Sequence, residues 1–553
     1  MCVFLLVRHG VDGTAAKSLE ELNTTVGPFV TGVKVIEGGA MAQQNSVAVS
    51  IVADIPGRAR STHFAAAVSS AGAWQEAFVL ESTAKDSSSG SPINQGYYSH
   101  LNGFTNSWAS VMLAAANTEG VRLRVTRLGG AAIKTAAVHP ERSGARIVSI
   151  TPNGVDVLVP RPTQFTLTLD GGLDDVNTGP EYKNKPPMHT FTAIINPYLA
   201  APTGEHVVTV HAGQAIPDPL PAGTRALVFG PGEHRLFPKE QPAALVAVDK
   251  QLQSEPQPHP EQHQSLPVLV NAGGPPPPSS KWWPVFTLPS AVKVHVPADA
   301  VCYFALISHP KQKPRVAEQI DLEGYGTFSG EEMDRCPPSN ITEASCENNS
   351  PQGLSLENVH QANITGVTFV DFPSHHIIAG ADSAPCSDPG RTLSTMANIK
   401  VFGWRANGDG IHVFGHWHLR DCFLRTQDDS LYLQAGPKTA CPTTMERMTT
   451  WNDANGAAFM LIGCGATLRH SDAIYQRASW GWWDGGRVLT NREQGPIVGV
   501  TIDDVIFSDP FPTMNAASAQ AIPTTTRLAG DKTAIDRLLV STDQSRHAPC
   551  EYK

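Results

Sequence analysis

Short segments in which apolar and polar residues alternate dominate the chain from about residue 60 to residue 200. Three of them are Val121–Arg127, Ala145–Ile150 and Gln164–Leu169, and turn-forming proline, glycine and asparagine residues separate them. A period of two places alternate side chains on opposite faces of a strand. Because many short strands of this kind pack as two sheets, we predict an antiparallel β-sandwich domain over residues 60–205. Residues 1–59 precede it as an N-terminal extension of unassigned role.

A second pattern begins near residue 206, where short apolar segments recur at spacings of about 20 to 35 residues. The clearest are Asn363–Phe369, Asn398–Trp404, His418–Leu424 and Val500–Ile506. Such a quasi-repeat is typical of a solenoid, whose coils bury an apolar core only by stacking on one another. The chain is therefore predicted to be all-β, with a right-handed parallel β-helix, the candidate catalytic domain, over residues 206–553.

One segment interrupts the second pattern. Residues 250–281 are rich in proline, glutamine and histidine and include the run Pro275–Pro278. This composition favours extended chain that forms no packed core of its own. We therefore predict a surface insertion in the β-helix at this point.

Length, composition and charge narrow the class of protein. At 553 residues the chain exceeds one ordinary core, and 41% hydrophobic with 17% charged residues is typical of a soluble globular protein. The net charge of −10 argues against nucleic acid as a partner. No apolar stretch approaches the roughly 18 residues of a membrane-spanning helix, so no membrane partner is expected.

The signals for secretion are weak in the sequence itself. Cys2–Val7 is an apolar run too short for a typical signal peptide. Among the nine cysteines, Cys336 and Cys346 are spaced so that they could close a short loop. Asn-x-Ser/Thr triplets, at about the frequency of chance, occur at Asn23, Asn340, Asn348 and Asn363.

Three aspartates are the candidate catalytic residues. Asp409 lies in the segment Trp404–Ile411, and Asp428 and Asp429 follow it by 19 and 20 residues, about one coil of a parallel β-helix. Residues one coil apart stack at about 4.8 Å, so the three carboxylates are predicted to converge on one surface. Hydrolysis of a glycosidic bond needs such a group, with an acid for the leaving oxygen and a base for the water. The alternative is structural, with Asp409 in a turn and the pair at the end of a solvated loop.

The geometry of the trio leads to two further expectations. Acid and base of an inverting glycosidase lie about 6.5–9.5 Å apart, and crowding of carboxylates raises the pKa of one of them. On a regular strand, Asp428 and Asp429 would point to opposite faces. Both can therefore act in one site only if a bulge or a turn redirects one of them.

Aromatic residues are candidates for binding a sugar ring, because sugars stack on indole faces while polar groups fix their hydroxyls. Trp404 and Trp451 lie on coils next to the aspartates. The alternative for each ring is a place in the core or over the end of a coil. A further cluster follows a predicted strand and comprises Trp480, Trp482, Trp483 and Asp484.

Histidines near the aspartates allow a metal site as an alternative. His416 and His418 share one face of a strand, and His412 is close in sequence. No third ligand stands at a fixed spacing from them, so we expect neither a metal nor another cofactor. We expect instead that one of these histidines orients a catalytic aspartate or lies in a loop.

The Asn-Gly-Asp-Gly segment around Asp409 and the later Gln-Asp-Asp, on repeats of this kind, resemble glycoside hydrolase family 49, which includes dextranases and isopullulanase. Gly324–Gly330 and Trp451–Gly456 agree with the same family, and the resemblance extends over about residues 60–510. It implies an inverting hydrolase of α-linked glucans in the pectin-lyase-like β-helix superfamily. Asp428 matches the general acid, and Asp409 and Asp429 match the residues that hold the attacking water.

Two departures bear on the substrate. Polygalacturonases also carry an aspartate and an aspartate pair on a β-helix, but the Gly-His-Gly and Arg-Ile-Lys expected after Asp429 are missing; Gly463-Cys-Gly465 lacks the histidine. Family 49 leads us to expect a lysine shortly after the pair, where this chain has Tyr432, which becomes a candidate substrate-binding residue.

We therefore expect a monomeric, extracellular or secretory-pathway enzyme with a polysaccharide as its partner. Two alternatives stay open at this point. One is a polygalacturonase-like hydrolase of another polysaccharide, and the other is a non-catalytic glycan-binding protein on the same scaffold.

Overall fold

In the computed structural model, the regular secondary structure of the described residues is almost entirely β-strand. Within the described residues, the helical element is a short 3-10 helix, Glu141–Ser143. None of the helices in these ranges is long and apolar enough to cross a membrane. The described residues are 49–69, 72–85, 101–114, 120–170, 188–236, 284–308, 317–333, 352–381, 393–434, 443–453, 457–462, 464–476, 487–490, 498–508 and 525–530.

Eleven strands of the N-terminal region form two sheets. One sheet has the order β1-β5-β11-β10-β7, with β4 also paired to β5, and the other has the order β3-β2-β6-β9-β8. The strands are β1 (Val49–Ile51), β2 (Phe64–Ser69), β3 (Gln75–Ala77), β4 (Val79–Thr83), β5 (Thr105–Leu113), β6 (Val121–Arg127), β7 (Ala136–His139), β8 (Arg146–Ile150), β9 (Gly154–Val159), β10 (Thr163–Leu169) and β11 (His189–Pro197).

Alternation along the strands builds the core between these two sheets. Val121, Leu123 and Val125 of β6 are buried, and they belong to the same apolar cluster as Phe165 and Phe191 of the facing sheet. One pair departs from the predicted antiparallel arrangement, because β5 and β11 are parallel. The chain forms β6, β8 and β9 of the second sheet between these two strands, and a long crossover of this kind permits a parallel neighbour.

The C-terminal region forms one sheet of 26 strands wound into coils. Its strands are β12 (Val207–Val210), β13 (Ala226–Phe229), β14 (Gly232–His234), β15 (Val285–Thr287), β16 (Lys293–Val296), β17 (Ala300–Cys302), β18 (Ala305–Ile307), β19 (Ala317–Gly324), β20 (Thr327–Ser329), β21 (Leu354–Thr365), β22 (Thr368–Val370), β23 (Ile377–Ala381), β24 (Ser394–Ala397), β25 (Lys400–Phe402), β26 (Ile411–Phe414), β27 (Trp417–Arg420), β28 (Phe423–Thr426), β29 (Leu431–Gln434), β30 (Thr443–Glu446), β31 (Thr449–Asn452), β32 (Ala457–Ile462), β33 (Cys464–Arg469), β34 (Asp472–Gln476), β35 (Arg487–Thr490), β36 (Val498–Ser508) and β37 (Thr525–Gly530).

Most strands pair in parallel with the third strand after them, so the coils present three stacks of strands. Among the described strands of this sheet, β37 alone pairs antiparallel. Stack A contains β13, β16, β19, β21, β24, β27, β30, β33 and β36. Stack B contains β14, β17, β20, β22, β25, β28, β31 and β34, and stack C contains β15, β18, β21, β23, β26, β29, β32 and β35. These stacks confirm the predicted all-β fold with a parallel β-helix.

Side chains that point into the coils form continuous columns. One column on stack A joins Ile364, Met396, Leu419, Met445 and Leu468, each opposite the next in the parallel register. All five are buried. The recurring apolar segments in the sequence supply the residues of these columns. They recur because one coil alone cannot cover its apolar side chains, so each coil needs a neighbour.

The outward face of stack B is covered by the N-terminal sheets. Phe402, Phe423 and Trp451 point outward from successive coils and join an apolar cluster with Trp108 and Ile194 of the first sheet. The Trp108 and Phe402 rings lie 5.0 Å apart between centroids. Near the corner between stacks B and C, the Trp404 indole N–H donates to Ser82 Oγ of β4 at 3.0 Å.

Three predictions fall outside the described residues or stay predictions. The insertion predicted at residues 250–281 and the loop between Cys336 and Cys346 lie outside the described ranges. The domain boundaries at residues 59/60 and 205/206 stay predictions. Strand β1, which precedes residue 60, pairs with β5 in the first sheet.

Candidate active site

Asp409, Asp428 and Asp429 lie at the corner where the chain passes from stack B to stack C, on adjacent coils. The ladder of backbone hydrogen bonds continues through this corner. The Gly410 N–H donates to the Asp429 carbonyl oxygen at 2.9 Å, and the Ile411 N–H donates to the Ser430 carbonyl oxygen at 3.0 Å. Because Ile411 lies opposite Leu431, the same register places Asp409 beside Asp429.

The three carboxylates meet at this corner. One oxygen of each lies within 4.8 Å of an oxygen of the other two. Asp409 and Asp429 are each 6% exposed, whereas Asp428 is partly exposed. Asp428 and Asp429 stand in a bend between β28 and β29 rather than on a strand, so the strict alternation of a strand does not apply to them. This bend in the chain therefore allows both carboxylates to face the same site, as the prediction from the sequence required.

The spacing of the carboxylates is shorter than predicted for inversion. Their nearest oxygens lie within 4.8 Å, below the interval of about 6.5–9.5 Å for inverting glycosidases and near the roughly 5 Å of retaining ones. Separation by itself therefore does not favour inversion.

Neighbouring coils hold the aspartate pair in place. Thr426 Oγ1 and Asn452 Nδ2 donate to the Asp428 carbonyl oxygen at 2.8 and 2.7 Å. The Asp428 carboxylate accepts the Asp429 N–H at 3.0 Å, and the Asp429 carboxylate accepts the Ala457 N–H at 2.6 Å. Ala457 belongs to the following coil, so the pair is tied to a coil on either side.

Imidazoles set the charge of Asp409. Burial by itself would raise the pKa of Asp409, but the charges of His375 and His412, with a hydrogen bond from His412, lower it overall. His412 Nε2 lies 2.7 Å from Asp409 Oδ2, and His375 Nε2 lies 3.6 Å from the same oxygen. His376 is fully buried with Nδ1 2.8 Å from the Asp409 carbonyl oxygen, and burial lowers its pKa. Asp409 is therefore held as a carboxylate, which suits a base rather than an acid.

The sequence did not identify His375 as a neighbour of Asp409. The register between β23 and β26 pairs Ile377 with Ile411, which puts His375 one coil before Asp409. His412 contacts this pair, whereas His418, grouped with it in the sequence, instead lies 3.2 Å from Glu446. His375 precedes Asp409 by 34 residues. This spacing differs from the 20 residues between Asp409 and Asp429, so the sequence pattern did not indicate that the two residues are close.

Trp404 and Trp451 do not line a groove. Both are fully buried, and they enclose the Arg425 guanidinium, whose central carbon lies 4.8 and 4.9 Å from their ring centroids. The Trp404 indole N–H donates to Ser82 Oγ at 3.0 Å, and that of Trp451 donates to Asp453 Oδ1 at 2.6 Å. Since neither ring presents a face to solvent, the predicted role of these two tryptophans in binding sugar is wrong for this structure.

Arg425 instead supports the corner from beneath. It forms a buried ion pair with Asp453 at 2.7 Å. Gln427 Nε2 donates to Asp453 Oδ2 at 3.2 Å and to the Gly403 carbonyl oxygen at 3.0 Å. The network therefore links the residues just before Asp428 to the coil of Asp409 and to the following coil.

Tyr432 is the candidate substrate-binding residue that stays beside the aspartates. It follows the corner on β29, is partly exposed, and stacks on His412 with centroids 4.3 Å apart and 23° between the planes. The Phe414 ring lies 6.5 Å from it. The other predicted sugar-binding residues lie outside the described part of the chain: Trp480, Trp482, Trp483 and Asp484.

Two groups of side chains among the described residues have the spacing of metal ligands. One is the aspartate trio, and the other combines His375, Asp409 and His412, with one ligand atom of each within 4.8 Å of the others. His412 therefore does have two further ligand-type neighbours, which the sequence prediction did not include.

Comparison with known proteins finds similarity to solved structures but not to any family model or curated protein. No family model matches the sequence, and no curated protein matches it. Among solved structures, the chain is similar to Dex49A from Penicillium minioluteum, with a TM-score of 0.53 and 14% identity over 84% of this chain and 86% of that one. A polygalacturonase from Erwinia carotovora ssp. carotovora matches with a TM-score of 0.30 and 10% identity, over 57% of this chain and 96% of that one. The fold of this chain is therefore similar to that of Dex49A over most of both chains.

Proposed function

We propose that this protein is a glycoside hydrolase that cleaves an α-linked, dextran- or pullulan-like glucan with inversion. The observation that carries the hydrolase assignment is the convergence of three carboxylates within 4.8 Å at one corner of a β-helix, whereas inversion rests on the resemblance to family 49. The similarity of fold to Dex49A supports it, because the match covers 84% of this chain and 86% of that one with a TM-score of 0.53.

The surroundings of each carboxylate suggest its role. Asp409 and Asp429 are buried and accept hydrogen bonds from His412 and from the Ala457 N–H, which stabilise the charged form. Asp428 is more exposed, so it can reach the oxygen of a bound glycosidic link. We therefore assign Asp428 as the general acid and the other two as the residues that activate water.

In the proposed reaction, Asp428 gives its proton to the glycosidic oxygen as the bond from that oxygen to the anomeric carbon breaks. A water held by Asp409 and Asp429 attacks the anomeric carbon from the opposite face and gives a proton to one of these carboxylates. The products are two sugar chains, one with a new reducing end, and the enzyme returns to its starting charge after exchange of one proton with solvent.

A neutral substrate suits the charges at the corner. Among the described residues, Arg405 and Arg425 at this corner are buried in ion pairs, with Asp371 at 3.3 Å and with Asp453 at 2.7 Å. They therefore do not offer a cation to the carboxylates of a galacturonan. We also propose an extracellular location, because a dextran- or pullulan-like polymer is a substrate found outside the cell.

Release of reducing ends from dextran, pullulan, starch and pectin tests this function. Dextran or pullulan cleavage agrees with the proposal, pectin cleavage points to a polygalacturonase-like enzyme, and binding without product points to a glycan-binding protein. Asp428→Asn, Asp409→Asn and Asp429→Asn should each lower the rate by about 10²–10⁴-fold, the usual size of acid–base catalysis.

Asp421→Asn is the matched control, because Asp421 is a partly exposed aspartate on the same coil that pairs with Arg447. It should retain the rate of the unmodified protein. Near-normal turnover by Asp428→Asn on the cleaved polymer would show that Asp428 is not the acid.

A further inference from the structure

His375 and His412 present the same ring nitrogen to one oxygen of Asp409. Their Nε2 atoms lie 3.6 and 2.7 Å from Asp409 Oδ2. In the Nε2–H tautomer each neutral ring can donate to this oxygen, and when both Nε2 atoms are deprotonated three lone pairs converge on one point.

Packing fixes both rings in this orientation. The His375 and His412 rings meet edge to face with centroids 4.4 Å apart, and His412 also stacks on Tyr432. Ser374 Oγ lies 2.9 Å from His375 Nδ1, which engages that nitrogen and leaves Nε2 directed at Asp409. A partner on the second ring nitrogen is what orients histidines that bind metals.

We propose that His375, Asp409 and His412 form a binding site for a divalent transition metal ion such as Zn²⁺. Two imidazoles and one carboxylate are ligands that Zn²⁺ takes at about 2.0–2.2 Å, and three protein ligands leave a fourth position open for water. The ligand atoms lie within 4.8 Å of one another, so small side-chain rotations close the site. The hard ions Mg²⁺ and Ca²⁺ prefer oxygen ligands and suit this group less well.

Metal binding removes the proton that His412 Nε2 shares with Asp409, since a ring nitrogen binds metal through its lone pair. The Asp409 oxygen then binds the ion rather than a proton of the attacking water. Zn²⁺ therefore inhibits hydrolysis, an effect that rests on the proposed function of Asp409, whereas the binding itself does not.

Calorimetric titration of the full-length protein with Zn²⁺, after removal of metals by chelation, tests the site directly. His375→Ala and His412→Phe should each weaken this binding by at least about 10-fold, and the double variant should lose one equivalent. Ser374→Ala should weaken it by about 10-fold, because it removes only the orienting partner. The phenylalanine at position 412 keeps a ring beside Tyr432.

His418→Ala is the matched control. His418 also lies beside a carboxylate, that of Glu446 at 3.2 Å, but it belongs to neither of the ligand groups found among the described residues. It should leave the titration unchanged, and circular dichroism should show that all variants keep their strands. Unchanged affinity and stoichiometry in the double variant would overturn the proposal.

An activity assay separates this site from the proposed function. Zn²⁺ should inhibit polymer cleavage by the unmodified protein, and chelation should restore it. Zinc binding that depends on His375 and His412 without any hydrolase activity would leave the metal site standing and reject the proposed function. Cleavage that is insensitive to Zn²⁺ at saturating binding would reject inhibition through Asp409.

Discussion

Asp409 and Asp429 occupy the same position on successive coils, and the backbone beside them is in direct contact. The Gly410 N–H bonds the Asp429 carbonyl oxygen at 2.9 Å. Their carboxylates are consequently positioned by the stacking of two coils and not by any flexible loop alone. The site therefore depends on the distance between coils.

Gly410→Ala should damage the site without removing a carboxylate. A methyl group on Gly410 would lie 2.1 Å from the Ser430 carbonyl oxygen and 3.2 Å from Thr426 Cγ2, so the coils must move apart at the corner. A misplacement of about 1 Å costs about 10²-fold in rate. Steady-state assays on the cleaved glucan measure this loss. Gly380→Ala is the control, since its methyl group would meet only the Leu356 carbonyl oxygen at 3.4 Å, and an equal loss in both variants would contradict the explanation.

His412→Phe should shift the pH dependence of hydrolysis. The imidazoles lower the pKa of Asp409 against the effect of burial, so removal of one of them raises that pKa. Asp409 then takes up a proton at higher pH as the solution is acidified, and the acidic limb of kcat/KM should move upward in pH. Profiles of kcat/KM measured in metal-free buffer show the shift. A lower rate with an unmoved limb would mean that His412 only shapes the site.

The sequence predicted the trio because the coil length between Asp409 and Asp429 is short and regular. It failed for Trp404 and Trp451 for a physical reason. Alternation shows that a side chain points outward from a coil, but it does not show that the N-terminal sheets cover that face. His375 was missed because the coil before Asp409 is longer than the next one, and only the strand register brings the two together.

Arg425→Met should destabilise the fold strongly. The change leaves Asp453 as a buried carboxylate without its cation, which typically costs about 3–5 kcal/mol. Arg447→Met removes a more exposed guanidinium from the partly exposed Asp421 and from Glu446, which keeps its pair with Arg469, and should cost less than about 1 kcal/mol. Denaturant unfolding followed by tryptophan fluorescence measures both, and the emission should respond because Trp404 and Trp451 enclose Arg425. Similar losses of unfolding free energy in the two variants would show that the buried ion pair stabilises the fold no more than the more exposed one.

Glu81 should contribute to acid unfolding of the N-terminal sheets. Burial alone would raise the pKa of Glu81, but hydrogen bonds and the charge of nearby groups, led by the bond from His63, lower it to about 2. Because the unfolded state then binds more protons, stability is present above about pH 4.5 and is lost as the pH falls toward 2. Glu81→Gln should lower stability at pH 7 by about 2 kcal/mol, allowing for partial exposure, and flatten this dependence. Calorimetric unfolding midpoints measured at successive pH values test this prediction. A pH dependence of the midpoint in Glu81→Gln as steep as in the unmodified protein would contradict it.

The anomeric form of the first product should distinguish inversion from retention. If water attacks from the face opposite the leaving oxygen, an α-linked glucan yields a β-configured reducing end before mutarotation. The carboxylate oxygens lie within 4.8 Å of one another, a separation that also suits a retaining mechanism in which one carboxylate is the nucleophile. Inversion and retention predict different anomers, which give different spectra. Proton NMR recorded during the first minutes of cleavage shows which anomer forms. An α-configured product, together with a covalent glycosyl adduct detected by mass spectrometry in Asp428→Asn, would make Asp409 or Asp429 the nucleophile and remove the activated water from the mechanism.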